Sequence, residues 1–172
     1  ETDVKVLGKK VEKAVSDFSK TSGKKFELWF EPGKFLVSGS GHFLVKTNVI
    51  KQTTATVFAG INSGFNHLIR PMFYDSYHII ENLSNPKGKE RIYTVVGNIC
   101  ETDTFAWDRK LNEVHEGDIL VFRNAGAYGF EMSSNFNSRL KPAEVLFLDG
   151  KAHLIRKRDE FEDLLRNQIE VL

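Results

Sequence analysis

The chain has 172 residues, of which 41% are apolar and 27% charged, and its formal net charge is +1. This composition is typical of an ordinary globular protein. The length is below the roughly 200 residues that a complete (β/α)₈ barrel needs, and the balanced charge argues against a nucleic-acid or anionic-membrane partner. The single cysteine, Cys100, excludes an intrachain disulfide framework and a zinc site of the finger type.

The first 34 residues predict one helix followed by one strand. Residues 3–20 carry apolar side chains at helical spacing, and Gly23 is placed to end the helix. Residues 26–30 are apolar at four of five positions and predict a strand, which the turn pair Pro32-Gly33 closes. One helix and one strand cannot bury a sheet, so we expect this region to belong to something larger. The first residue is not Met, which leads to the same expectation that the chain begins inside a longer protein.

After Gly39-Ser40-Gly41 the chain consists of short segments rich in β-branched and aromatic residues, which are separated by turn signals. Eight strands are predicted, at 43–51, 56–61, 77–82, 91–96, 104–107, 118–123, 143–148 and 152–156. Their number and even spacing indicate a mainly β fold, an antiparallel, Greek-key-like barrel or sandwich.

The last two predicted strands carry the clearest turn signal, because Asp149-Gly150 joins them by two residues and is typical of a hairpin. Residues 160–171 then predict a closing helix with an apolar face. Asp159 and Glu162 have the spacing of a capping box at its start, with Asp in place of the usual Ser or Thr.

Three polar clusters interrupt the predicted strands. Arg70 and Tyr74 stand in an apolar stretch, and an arginine can hold a carboxylate with two parallel hydrogen bonds. Cys100 and Glu101 place a thiol beside a carboxylate. Tyr128 follows a Gly-Ala pair, whose small size lets backbone approach a ligand. Taken singly, the clusters are better explained by a salt bridge, a buried cysteine and a tight turn. Together they predict a binding site for a small, carboxylate-bearing molecule.

Other features of the sequence point away from further sites. The five histidines show no pair at metal-ligand spacing, so we expect no metal. No apolar run approaches 18 residues, and the N-terminus does not resemble a signal peptide. We therefore expect a cytoplasmic protein without membrane or nucleic-acid partners.

Four ordered motifs resemble those of the pyridoxal-phosphate (PLP) decarboxylases that have an alanine-racemase-like fold. They are Glu31-Pro32-Gly33-Lys34; Gly64 to Pro71 (GFNHLIRP); Cys100-Glu101-Thr102-Asp103; and Gly126-Ala127-Tyr128 followed by Met132 to Arg139 and Pro142 to Val145. In this family a (β/α)₈ barrel precedes a β-barrel-like domain. The resemblance implies that residues 1–34 are the last helix and strand of a truncated barrel, and that residues 35–172 are the C-terminal β-domain with its closing helix.

The resemblance also implies PLP as the cofactor, with its Schiff-base lysine in the missing N-terminal barrel. Glu31, Pro32, Gly33, Lys34 and Tyr128 would bind the cofactor. Lys34 stands where the family usually has Arg; it keeps the positive charge and loses the planar fork of the guanidinium.

The remaining site residues follow in the same way from the resemblance. Substrate would be bound by Lys34, Arg70, Tyr74, Glu101 and Tyr128. Cys100 would be the catalytic proton donor and would act in the partner's site across a homodimer interface. The missing barrel and a small amino acid are the other partners implied.

Within the family the resemblance is closest to the members that convert meso-diaminopimelate into L-lysine and carbon dioxide, because Glu101 follows Cys100 directly. That activity is therefore expected of the whole protein, and the fragment alone is expected to be inactive. Two alternatives stay open: a related arginine, ornithine or carboxynorspermidine decarboxylase, and a non-catalytic homologue that acts as a binding module.

Overall fold

The computed structural model describes residues 3–171. The chain divides after Pro32 into two compact units, one that ends at Pro32 and one that begins at Gly33. The second unit contains every strand found within the described residues.

The first unit contains helix α1, Val4–Ser22, and an irregular segment that follows it. Asp3 caps the helix by accepting hydrogen bonds from the main-chain N–H groups of the first turn, and Gly23 ends it with a φ of 68°. The helix is the one that the sequence predicts. The strand expected at 26–30 is wrong, because these residues form no strand. A strand requires a neighbour for its main-chain hydrogen bonds, and none of the described strands pairs with this segment.

The second unit is built on eight strands, and all eight predicted strands are present. They are β1 (His42–Gln52), β2 (Val57–Ile61), β3 (Ile80–Asn82), β4 (Glu90–Val96), β5 (Thr104–Asn112), β6 (Ile119–Arg123), β7 (Glu144–Leu148) and β8 (Lys151–Arg156). The third strand is shorter than predicted and the fifth is longer. The last two form the predicted hairpin, in which Asp149 and Gly150 have φ angles of 49° and 74°.

Strands β1 to β6 form one sheet in the order β3-β6-β1-β2-β4-β5. The edge strands β3 and β5 pack against each other, so the sheet is nearly closed. The expectation of an antiparallel sheet is right for every neighbouring pair except β2 and β4, which are parallel. The reason is that β3 joins the far edge beside β6. The chain then returns to β4 on the other side of β2 and runs in the same direction.

Short helices account for the remaining differences from the predicted elements. The sequence did not predict α2 (Gly33–Val37) and α3 (Arg70–Tyr74). The closing helix α4 spans only Phe161–Leu165, and its capping box is formed by Glu160 and Asp163. Asp159 was the wrong choice of cap, because its carboxylate instead accepts hydrogen bonds from the main chain of Lys141 and the side chain of Asn135.

The core lies inside the six-stranded sheet. Its largest fully buried apolar side chains are Tyr93, Phe122, Ile61, Leu68, Leu120 and Val95. No helix within residues 3–171 is long and apolar enough to cross a bilayer.

Candidate functional site

The strand directions bring the predicted site residues of the second unit to one end of the sheet. Strands β2 and β4 are parallel, and β6 has the same direction because both β2 and β6 are antiparallel to β1. The segments that follow these three strands therefore emerge at the same end, where β1, β3 and β5 begin. We call this end the site rim and define it as residues 33–41, 62–79, 97–103 and 124–129.

The site rim contains the predicted residues Gly33, Lys34, Arg70, Tyr74, Cys100, Glu101 and Tyr128. Glu31 and Pro32 belong to the first unit. In the sequence, the clusters around Arg70, Cys100 and Tyr128 are separate. The topology of the sheet places all three clusters at a common end.

Arg70 lies between two aromatic rings on the site rim. Its guanidinium carbon is 5.6 Å from the ring centre of Tyr74 and 5.5 Å from that of Tyr128. The side chain of Arg70 is buried, and one of its Nη atoms donates to the Ser76 hydroxyl at 3.1 Å. Both tyrosines are about half exposed. The rings hold the cation by cation–π attraction. A guanidinium with two half-exposed tyrosines around it offers a positive charge and hydroxyl donors, which suit a carboxylate or a phosphate.

The loop that carries Tyr128 is docked on the segment after Lys34 by two glycines. The Gly126 N–H donates to the Ser38 carbonyl at 3.0 Å, and the Gly41 carbonyl accepts from the Ala125 N–H at 2.9 Å. A Cβ atom on Gly126 would lie 2.2 Å from the Val37 carbonyl oxygen. This close approach of two backbones requires glycine, and it fixes the path of the chain just before Tyr128.

His78 lies near this group and is buried. Its Nδ1 donates to the Arg123 carbonyl at 2.8 Å, which leaves Nε2 as the acceptor nitrogen. Burial lowers the pKa of His78, and the positive charges of Arg70, Lys34 and Arg109 lower it further, against the opposing effect of the hydrogen bond to Arg123. The ring is therefore neutral near pH 7.

Cys100 and Glu101 form the second polar group on the site rim. The thiol is exposed, so the alternative of a buried cysteine is wrong. Its Sγ donates to Oε2 of Glu101 at 3.3 Å and accepts from the side-chain amide of Asn137 at 3.8 Å. The thiol proton is thus held next to a carboxylate, at the surface of the unit.

The carboxylate of Asp103 supports the loop of Cys100 from inside. It accepts hydrogen bonds from the Phe65 N–H at 2.7 Å and the Ile99 N–H at 2.9 Å. Burial raises the pKa of Asp103, while these two hydrogen bonds oppose the rise. Asp103 therefore joins the loop after β2 to the loop after β4.

Three of these residues were not found from the sequence as functional candidates. Asn137 and His78 carry no spacing signal, because their partners are distant in the chain. Asp103 and Asn137 lie within motifs of the resemblance, but the resemblance assigns neither of them a role. Within residues 3–171, no group of three His, Cys, Asp or Glu side chains is placed to hold a metal ion.

Comparison with known proteins agrees with these observations. Residues 35–126 match the family described as pyridoxal-dependent decarboxylase, C-terminal sheet domain. The diaminopimelate decarboxylase of Methanothermobacter thermautotrophicus is 48% identical over 82% of this chain and 33% of its own length. That of Campylobacter jejuni is 42% identical over 82% of this chain and 35% of its own length. The chain thus spans about a third of the length of these curated relatives.

A solved structure gives the same result for the fold. Diaminopimelate decarboxylase from Methanocaldococcus jannaschii, in co-complex with L-lysine, superimposes with a TM-score of 0.75 at 35% identity. The match covers 80% of this chain and 32% of that one. Since the family match extends over more than half of the sequence, the chain belongs to the family of C-terminal sheet domains of pyridoxal-dependent decarboxylases.

Proposed function

We propose that the chain is the C-terminal part of a cytoplasmic, homodimeric, PLP-dependent decarboxylase that converts meso-2,6-diaminopimelate into L-lysine and carbon dioxide. On this proposal residues 1–34 belong to the end of its (β/α)₈ barrel: helix α1 is the last barrel helix, and the segment 26–30, which forms no strand in this chain, would become the last strand once the rest of the barrel supplies a neighbour. The observation that carries the proposal is the site rim, where a group suited to anions and a thiol–carboxylate pair lie at one end of the sheet. The names of the relatives supply the substrate.

The group around Arg70 is proposed to hold the substrate carboxylate and part of the cofactor phosphate. Lys34, Arg70, Tyr74 and Tyr128 supply positive charge and hydroxyl donors, which are the partners that carboxylate and phosphate groups require. PLP fits this donor set because its phosphate is an anion. Gly33 and Lys34, at the start of the second unit, would contact the same phosphate.

Cys100 is proposed to donate a proton after carbon dioxide has left. Bound PLP supplies the electron sink that makes this departure possible, and the protein orients the groups around it. The structure supports the role of Cys100 because its thiol is exposed on the site rim and carries a hydrogen-bonded proton. Sγ of Cys100 would give that proton to the carbon that loses the carboxylate.

Glu101 is proposed to recognise the distal ammonium group of diaminopimelate. Its carboxylate is beside the thiol, so the same loop would hold one end of the substrate and protonate the other. Recognition of this kind can be strongly selective, because a substrate that lacks the ammonium group leaves a desolvated carboxylate without a partner.

The first experiment tests substrate binding in the full-length enzyme that contains this chain. Arg70→Lys keeps the charge but loses the fork that binds a carboxylate, so KM for meso-diaminopimelate should rise about tenfold or more. Arg91→Lys is the matched control, because Arg91 stacks on Tyr93 near the start of β4, away from the site rim. Equal effects of the two variants would contradict the assignment of Arg70.

The choice among the alternative functions is tested by the substrate of the wild-type enzyme. Activity on arginine, ornithine or carboxynorspermidine instead of diaminopimelate would establish the related-decarboxylase alternative. Release of no carbon dioxide from any of these substrates would favour the non-catalytic alternative.

The second experiment tests whether Cys100 acts in the partner's site. Cys100→Ala is mixed, under conditions of subunit exchange, with a variant that lacks the Schiff-base lysine of the barrel. Half of the dimers are then mixed, and each mixed dimer has one site with both groups intact, so about a quarter of the wild-type activity should return. If exchange is verified and activity stays at the level of the separate variants, Cys100 does not act across the interface.

A further inference from the structure

One buried side chain holds together the two loops that frame Cys100. Asp103 is 6% exposed. Its Oδ1 accepts from the Phe65 N–H at 2.7 Å and its Oδ2 from the Ile99 N–H at 2.9 Å. Its main-chain carbonyl also accepts from the Gly97 N–H at 2.7 Å. Asp103 therefore closes the loop 97–103 on itself and attaches it to the loop after β2.

The sequence around the carboxylate is adapted to this close packing. A Cβ atom on Gly97 would lie 2.0 Å from Oδ2 of Asp103, and one on Gly64 would lie 2.4 Å from Cδ1 of Ile99. Real Cβ atoms do not approach other atoms so closely. Any other residue at Gly97 would therefore push the carboxylate away from the Ile99 N–H, or move the loop.

The contacts of Asp103 indicate a residue that holds the backbone in place rather than one that reacts. Each of its two oxygens accepts a main-chain N–H, and the side chain is enclosed. Arg139 supports the same loop from another direction, by donating to the Asn98 carbonyl at 3.3 Å. Cys100 lies between Ile99, which Asp103 binds, and Glu101, which faces the thiol.

We propose that Asp103 is the positioning residue for Cys100: its carboxylate fixes the loop 97–103 against the loop after β2 and thereby sets the position of the thiol on the site rim. The part of this inference that concerns catalysis rests on the proposed function, whereas the part that concerns the loop does not.

The loop is tested on the 172-residue chain with Asp103→Asn, in which an NH₂ group replaces one acceptor oxygen. Amide exchange in peptides that contain Phe65 and Ile99 should become about tenfold faster or more, as expected where a hydrogen bond to a charged group is lost. Alkylation of Cys100 by iodoacetamide should also become faster. The only cysteine of the chain is Cys100, so the reagent reports on this loop alone.

The matched control is Asp108→Asn, an identical change at an exposed aspartate on β5 whose φ of 44° Asn tolerates well. It should leave both readouts unchanged. If Asp103→Asn fails to fold, Gly97→Ala disturbs the same contact from the other side and is measured in its place. Exchange and alkylation rates equal to those of the wild type would overturn the proposal.

In the full-length enzyme, Asp103→Asn should lower kcat for meso-diaminopimelate about 10- to 100-fold, the effect of a displacement on the order of 1 Å at a reacting group. KM should rise as well, because the displaced loop also carries Glu101, which the proposed function places on the distal ammonium group. A faster-exchanging loop with an unchanged kcat would overturn the role in catalysis. A wild-type enzyme without decarboxylase activity would refute the proposed function, and the loop experiment would still decide the position of Cys100.

Discussion

Replacement of Gly126 by alanine tests the way in which the structure places Tyr128. The new Cβ would lie 2.2 Å from the Val37 carbonyl oxygen and 2.7 Å from the Gly41 nitrogen. Both are main-chain atoms, so neither can move aside without moving its segment. We therefore expect the loop 124–129 to separate from the segment 37–41 and to weaken the hydrogen bond from Gly126 to Ser38, which is 3.0 Å long.

The cost can be worked from these contacts. Overpacking that forces a backbone shift costs about 1–3 kcal/mol, and the loss of one main-chain hydrogen bond adds about 0.5–1.5 kcal/mol. The free energy of unfolding should fall by about 1.5–4.5 kcal/mol. Because the same loop carries the ring that stacks on Arg70, KM of the full-length enzyme should also rise.

The assay is urea unfolding followed by the fluorescence of Trp107, in a background where Trp29 of the first unit is replaced by Phe. Gly39→Ala is the matched control. Gly39 lies in the segment on which the loop is docked, and nothing is within 4 Å of its added Cβ. It should unfold within about 1 kcal/mol of the wild type. If the free energy of unfolding of Gly126→Ala equals that of this control, the two backbones do not meet as described. The account of how Tyr128 is positioned is then refuted.

Two further predictions concern stability. Tyr93→Phe should lower the free energy of unfolding by about 1–3 kcal/mol, because the buried hydroxyl accepts a main-chain N–H at 3.0 Å that would be left without a partner. Tyr77→Phe, at an exposed ring, should cost much less, and equal losses would contradict this reasoning. The pKa of His78 is lowered from its ordinary value of 6.5, so below that pH the unfolded chain binds more protons than the folded chain. The free energy of unfolding should therefore fall as the pH drops below about 6.5, by at most about 1.4 kcal/mol per pH unit for this group. His78→Gln should flatten this pH dependence, measured by urea unfolding at several pH values. The control, His153→Gln at an exposed histidine, should not. An unchanged slope of unfolding free energy against pH in His78→Gln would show that this ring does not titrate as described.

Local patterns were enough to predict most of the elements. The alternation of apolar residues and the turn pairs between them predict all eight strands, and Asp149-Gly150 predicts the hairpin because its two residues must adopt positive φ. Helix α1 follows from its apolar spacing and ends at Gly23 as predicted. These features depend on neighbours in sequence. The sequence carries them without reference to the rest of the fold.

Candidates for the site could also be chosen from the sequence, residue by residue, from the motifs. Arg70, Cys100 and Tyr128 could be selected because a guanidinium, a thiol and a phenol are chemically distinctive. Their arrangement was not predictable. It depends on the parallel pairing of β2 with β4, which follows only from the return of the chain after β3.

The tertiary structure alone decided which polar residues support the site. Asp103 meets the N–H of Phe65 across 38 positions of sequence, and Asn137 reaches the thiol of Cys100 across 37. Hydrogen bonds of this kind leave no periodicity, because their geometry exists only after the sheet has closed. The segment 26–30 shows the converse: its composition favours a strand, but a strand forms only where a neighbouring backbone supplies the hydrogen bonds.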